Sequence, residues 1–270
     1  MEEDLSAFSK LSSIMKKLRA PDGCPWDRKQ TYQSLCPHII EEAYELTDAI
    51  QNCESAGTMK HVLEECGDLL LQVIFIGTIA EEKGDFSLAQ IPEIISEKLI
   101  RRHPHIFSGV PVKDSDQAYF GWEEIKRKER ASQKEDTSVL AGVPKSLPSV
   151  VKAYRIQQKA ASIGFDWQKD DQTPVMNKIK EEFDEVREVL QESGSQKRLE
   201  EEIGDLLFAV VNLARRCDID PESALASANR KFERRFRFIE AQVSKNKKGW
   251  RNSSLDDLES FWNQAKKSGL

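Results

Sequence analysis

The chain has 270 residues, 40 Lys+Arg, 46 Asp+Glu and a formal charge of −6. That length suits about two domains, each able to bury its own core without a disulfide staple. An acidic total excludes a general nucleic-acid coat, which needs a basic face to release counterions.

The chain begins Met1-Glu2-Glu3-Asp4, too acidic for a signal or transit peptide. Helical signals then dominate, and Gly and Pro are scarce. Ile39, Ala43, Leu46 and Ile50 recur at helical spacing. Leu69–Ile76 is apolar on most sides, which predicts a helix buried between neighbours, ended by Gly84. A strand would also read as an apolar run, but acidic residues precede it and turn signals do not flank it. The longest apolar stretch, Leu69 to Ala80, contains Gln72 and is too short to span a bilayer. Pro104 should stop the next helix early. Lys126 to Asp136 is nearly all polar, and Pro144 and Pro148 punctuate the residues beyond it, so 127–146 reads as a linker whose first part can extend the preceding helix.

The second half repeats these signals. Thr173-Pro174 and Asp220-Pro221 each read as an N-cap followed by Pro at the first helical position. Phe183, Val186 and Leu190 mark one helix, ended by Gly194, and Leu206–Leu213 predicts another buried one. Ser254 with Asp257 resembles a capping box. The expected fold is all-α, in two tandem helical units: 1–126, the linker, and 147–270.

The halves share more than a class. Glu41-Glu42-Ala43-Tyr44-Glu45 recurs as Glu181-Glu182-Phe183-Asp184-Glu185. Glu64-Glu65-Cys66-Gly67-Asp68-Leu69-Leu70 recurs as Glu201-Glu202-Ile203-Gly204-Asp205-Leu206-Leu207. Lys98 with Arg102 recurs as Lys231 with Arg235, and Trp122 with Lys126 as Trp262 with Lys266. Four elements in one order, at an offset of 133 to 140 residues, mark an internal duplication.

Carboxylates at i and i+3 share a helix face. Glu182 with Glu185, and Glu202 with Asp205, can therefore converge if their helices pack antiparallel. Glu42, Glu45, Glu65 and Asp68 form the matching set. Such a cluster needs a cation or protonation. Hard oxygen ligands without His or Cys select Mg²⁺, Mn²⁺ or Ca²⁺, and no Glu-x-x-His pair is present for a di-iron bundle. A solvated acidic face explains one Glu-x-x-Glu as well, but not its ordered duplication. Lys231 and Arg235, at i and i+4, can grip phosphate oxygens, and Lys178, a turn before Glu182, can join them. Trp26 and Trp167 read as core. Trp262 beside Lys266 can be core or contact a nucleotide. Five scattered cysteines without CxxC spacing fit a reducing cytosol. His61 and His103 read as structural or surface residues.

These strings resemble the MazG family of nucleoside triphosphate pyrophosphohydrolases. Pro21-Asp22-Gly23-Cys24-Pro25-Trp26-Asp27, Arg101-Arg102-His103-Pro104-His105-Ile106-Phe107 and the stretch Ala228 to Phe236 add to the likeness. The resemblance implies an all-α fold completed as a homodimer, with helices of two subunits building each site. It implies Mg²⁺-dependent hydrolysis of nucleoside triphosphates to monophosphate and pyrophosphate, and a role in clearing nucleotide pools; the hard donor set admits Mn²⁺ as a substitute ion, and the cysteine usage sets the expected location in the cytoplasm. It carries metal positions to Glu182, Glu185, Glu202 and Asp205, and nucleotide-contacting positions to Lys178, Glu181, Glu201, Lys231, Arg235, Trp262 and Lys266. Water would attack the α-phosphorus, oriented by Glu185 or by an outer acid, Glu181 or Glu201. The first half keeps all four acids but has His38 where the second has Lys178, so the second half is expected to carry most of the turnover. The rival readings are a helical interaction scaffold and a nucleotide sensor without turnover.

Overall fold

The computed structural model describes residues 2–53, 59–133, 136–192, 194–245 and 249–270. Met1 of the acidic start and Lys134 and Glu135 of the expected linker lie outside them. The described residues are helical, without a strand: α1 Glu2–Arg19, α2 Pro25–Lys29, α3 Tyr32–Gln51, α4 Met59–Lys83, α5 Gln90–Arg102, α6 Pro104–Phe107, α7 Ser115–Ser132, α8 Ser149–Ala161, α9 Thr173–Gln191, α10 Gln196–Arg216, α11 Pro221–Lys245 and α12 Leu255–Lys267. The chain divides into two compact units, Met1–Pro111 and Val112–Leu270. That division falls ahead of α7, where the sequence suggested 126/127. The start of the expected linker belongs to α7, and Ala141 further along it is buried.

In the first unit α3 and α4 pair as a hairpin, and α1 packs on α4. Met15, Leu35, Ile74, Phe75, Ile79 and Leu88 form the core. Each such side chain contributes about 1.5–3 kcal/mol on burial. Thr31 and Ser34 build a reciprocal capping box at the start of α3. Gly84 follows the last residue of α4 with φ +74°, and Asp85 N–H donates to Ala80 O at 2.9 Å, the left-handed cap that a Cβ would strain. α5 stops at Arg102 and Pro104 opens α6, whereas α11 runs past the corresponding Arg235 to Lys245.

In the second unit α9 and α10 form the equivalent hairpin, with α8 packed on α10 and α11 on α12. Asp220 accepts from Ser223 N–H at 2.7 Å with Pro221 as the first residue of α11, and Ser254 with Asp257 forms a capping box. The α9 cap differs by one residue from the sequence reading. Thr173 is already helical, the cap is Gln172, and Asp171 accepts from Thr173 N–H at 2.9 Å. The shift comes from Asp171, which turns the chain before Thr173 can.

Arg216, 7% exposed, fixes the approach to α9. Its guanidinium donates to Asp166 Oδ1 (2.8 Å), Gln172 Oε1 (3.1 Å) and the carbonyls of Trp167 (3.1 Å) and Asp171 (2.7 Å). A buried Arg is tolerated only when its five donors are this well used.

Three expectations of burial fail. Trp26 is 55% and Trp167 43% exposed. Trp26 lies edge-on to His38, and Trp167 sits under the Arg216 guanidinium. Leu207, Phe208 and Val210 of α10 are also exposed, while Ala209 and Val211 are buried and α8 and α9 pack on the helix.

Candidate metal centre

Glu182 and Glu185 lie one turn apart on α9, and Glu202 stands on α10. The hairpin brings one carboxylate oxygen of each within 4.8 Å of the others. Glu182 is buried and the other two are half-buried. In the first unit Glu42 and Glu45 of α3 meet Glu65 of α4 in the same way. Asp205 and Asp68, expected as fourth members, are outside these tight groups and exposed. Asp68 still acts on its group through space. The Glu42 carboxyl is held above its ordinary range first by burial, then by the charges of Asp68, Glu45 and Glu65. Glu185 is raised likewise, by burial first, then by its bond to Glu182 and the charges of Glu182 and Glu202.

The second-unit group has two cationic neighbours. Lys178 Nζ lies 2.5 Å from Glu182 Oε1 and 2.7 Å from Glu181 Oε1. Those bonds, to Glu181 first, raise the ammonium above the usual lysine range. Arg198 Nε lies 3.7 Å from Glu202 Oε1. Sequence reasoning missed Arg198, although its i,i+4 spacing to Glu202 was the available signal. In the first unit His61 stands at the same place relative to Glu65, with Nδ1 3.3 Å from Oε1. His38, opposite Lys178 in the repeat, lies 3.7 Å from Glu41. Both permanent cations of the second group are thus histidines in the first.

The donor set suits a hard divalent ion. It offers carboxylate oxygens alone, at close range, and Glu65 Oε2 is buried without a hydrogen-bond partner. Glu181 and Glu185 also line a recess of about 460 Å³ on α9. Glu201 is exposed, with Lys197 at 3.9 Å.

The other expected ligands lie on α11 and α12. Arg235 donates to Leu270 O at 2.7 Å and stands 5.4 Å over the Trp262 ring. Trp262 packs on Phe232, which stacks on Phe236. Lys231 and Lys266 are exposed. Within one chain, the bonds to Glu182 and Glu202 come from α9 and α10 themselves.

The family model described as the MazG nucleotide pyrophosphohydrolase domain matches residues 30–107 and 171–237. The chain is 43% identical over 266 residues to the nucleoside triphosphate pyrophosphohydrolase/pyrophosphatase MazG of Thermotoga maritima, covering 98% of each. It is 43% identical over 268 residues to the nucleoside triphosphate pyrophosphohydrolase of Escherichia coli K12, covering 98% of this chain and 99% of that protein. It is 42% identical over 261 residues to the uncharacterized Bacillus subtilis protein YabN, covering 97% of this chain and 52% of that protein. The two matched regions each contain one carboxylate group.

Proposed function

The chain belongs to the MazG family of nucleoside triphosphate pyrophosphohydrolases, and we propose that it hydrolyses nucleoside triphosphates to monophosphate and pyrophosphate mainly at the Glu182–Glu185–Glu202 group. The convergence of these three carboxylates carries the reading. Glu182, Glu185 and Glu202 would hold Mg²⁺, or Mn²⁺ in its place, with Asp205 a turn beyond Glu202. The ion would neutralise phosphate charge and acidify water for attack at the α-phosphorus.

The chain's own groups supply the rest. Glu185, half-buried with a raised carboxyl, orients the attacking water, with Glu181 facing the same recess. Lys178 keeps its charge beside Glu182 and is placed to hold phosphate oxygens once the carboxylates are occupied. Lys231, Arg235, Trp262 and Lys266, with Glu201 at the rim, complete the nucleotide grip when a second subunit brings its α11 and α12 to the hairpin. The uncovered apolar residues of the hairpin, Phe183, Leu190 and Leu207 among them, support that pairing. The Glu42–Glu45–Glu65 group keeps ion-binding chemistry, with histidines in place of the permanent cations, and contributes little turnover.

Hydrolysis in H₂¹⁸O tests the reaction. Label in the monophosphate and none in the pyrophosphate supports attack at the α-phosphorus. Label in pyrophosphate, or free phosphate as the product, contradicts it.

A further inference from the structure

Two cavities in the second unit lie away from the carboxylate group. The first, about 540 Å³, is lined by polar side chains of α7, among them Arg127 and Arg130. The second, about 680 Å³, is walled by Ile156, Phe165, Trp167 and Phe208. Both volumes fall in the range of small-molecule pockets. Val139 and Ile163 line both cavities, so the two adjoin. Val139 and Leu140, read from sequence as part of a linker, help to wall them. Gly142 turns at φ +79°, where a Cβ would stand 3.5 Å from Arg130 Nη1.

The polar cavity has a surplus of positive charge. Its two carboxylates are already engaged. Glu123 accepts from Lys159 at 2.8 Å and Lys126 at 3.1 Å, and Glu124 pairs with Lys128 at 2.8 Å. Arg127 and Arg130, three residues apart on one face of α7, make no ion pair within 4 Å among the described residues; the Arg127 charge acts on Glu124 only through space, behind the direct bond from Lys128. Arg130 Nε is buried without a hydrogen-bond partner. Arg130 therefore has a donor to spare, and two guanidinium groups side by side on one cavity wall suit an anion. Planar forks of this kind suit a phosphate, and the aromatic walls next door suit a flat heterocycle.

We propose that the adjoining cavities form a second nucleotide site, in which Arg127 and Arg130 hold the phosphate of a nucleoside monophosphate and Phe165, Trp167 and Phe208 receive its base. Two arginines replace the charge that a divalent ion supplies at the carboxylate group, so this site binds without metal. The monophosphate as occupant rests on the hydrolytic reading above, since it is that reaction's product; the cavities themselves do not depend on it.

Calorimetry of the full chain in EDTA with AMP, GMP, CMP and UMP, and with inorganic phosphate, tests the site. At least one monophosphate binds, and binds more tightly than inorganic phosphate. The Arg127→Gln/Arg130→Gln double variant weakens it by about tenfold or more, the loss of charge-assisted hydrogen bonds. Phe165→Ala, at a side chain 80% exposed, weakens it as well and decides the matter if the double variant does not fold. Glu182→Gln leaves this binding intact. No binding of any monophosphate in EDTA, binding no tighter than that of inorganic phosphate, or binding abolished by Glu182→Gln overturns the site. None of these results bears on metal-dependent pyrophosphate release, which is measured separately.

Discussion

Lys178 Nζ stands 2.5 Å from Glu182 Oε1, one turn ahead of it on the same helix. The ammonium is thus the nearest counter-charge of the carboxylate group and competes with any divalent ion for Glu182. Lys178→Gln is expected to tighten Mn²⁺ binding in the absence of nucleotide, while KM for a nucleoside triphosphate rises about tenfold through loss of a charged hydrogen bond. Titration by electron paramagnetic resonance and steady-state kinetics measure the two effects. If neither changes, Lys178 belongs to no phosphate or ion site.

Glu185 makes ion binding pH-dependent. Its carboxyl is raised above the ordinary 4.5, so in the ion-free protein it takes up a proton before an unfolded glutamate would. Linkage sets the sign. Between 4.5 and the raised value the native state holds more protons, so Glu185 favours the ion-free fold as pH falls and disfavours it as pH rises. An ion requires the ionised form. Mn²⁺ affinity should therefore fall as pH drops toward the raised range of this carboxyl, starting at a higher pH than for an ordinary glutamate, and the fall should be shallower in Glu185→Gln. Equal slopes in the two proteins would remove Glu185 from the ligand set.

The exposed apolar face of α9 and α10 predicts a dimer needed for turnover. Leu207 is 61% exposed in the single chain, so Leu207→Glu has no core to disrupt there. Sedimentation should give a monomer, and pyrophosphate release should drop about hundredfold, because α11 and α12 of the second subunit no longer reach the carboxylates. A fully active monomer would contradict the shared site.

Lys159, 1% exposed, is a structural cation. It donates to Glu123, whose charged form is disfavoured by burial yet whose carboxyl is held below its ordinary range by hydrogen bonds from Lys159 and Lys126. Lys159→Met should lower stability by about 3–5 kcal/mol, the effect of leaving a buried charge short of its partner. Urea unfolding measures it, and adding Glu123→Met should restore part of the loss. A change under about 1 kcal/mol would mean that Lys126 and Arg155, whose Nη2 lies 3.8 Å from Glu123 Oε1, suffice for Glu123.

Local signals were the legible ones. The caps at Asp220 and Ser254, the stop at Pro104 and the turn at Gly84 each depend on one or two residues and their neighbours. The convergence of Glu182, Glu185 and Glu202 was legible too, because i,i+3 spacing and a helical hairpin fix most of it. Features that depend on packing between distant segments were illegible. Nothing in the spelling of Trp26 or Trp167 tells that these rings stay at the surface, or that Arg216 gathers Asp166, Trp167, Gln168, Asp171 and Gln172 from a loop some forty-five positions earlier. Asp205 shares a face with Glu202 by spacing, yet the tight group closes without it, since the geometry across a hairpin is set by the packed side chains between helices. The segment 139–142 looked like a tether because it follows a polar run, Lys126 to Asp136, and precedes Pro144 and Pro148. Its few apolar residues were enough to fold it onto α7 and α8.

The most direct measurement is pyrophosphate release from a nucleoside triphosphate at saturating Mg²⁺ by Glu202→Gln and by its first-unit counterpart Glu65→Gln, each checked for native helicity. Glu202→Gln should lose activity by about hundredfold or more while keeping its fold, since one repelling charge is removed from the group. Glu65→Gln should keep most of the turnover. Wild-type turnover by Glu202→Gln, or release that persists in EDTA, would contradict hydrolysis at this carboxylate group.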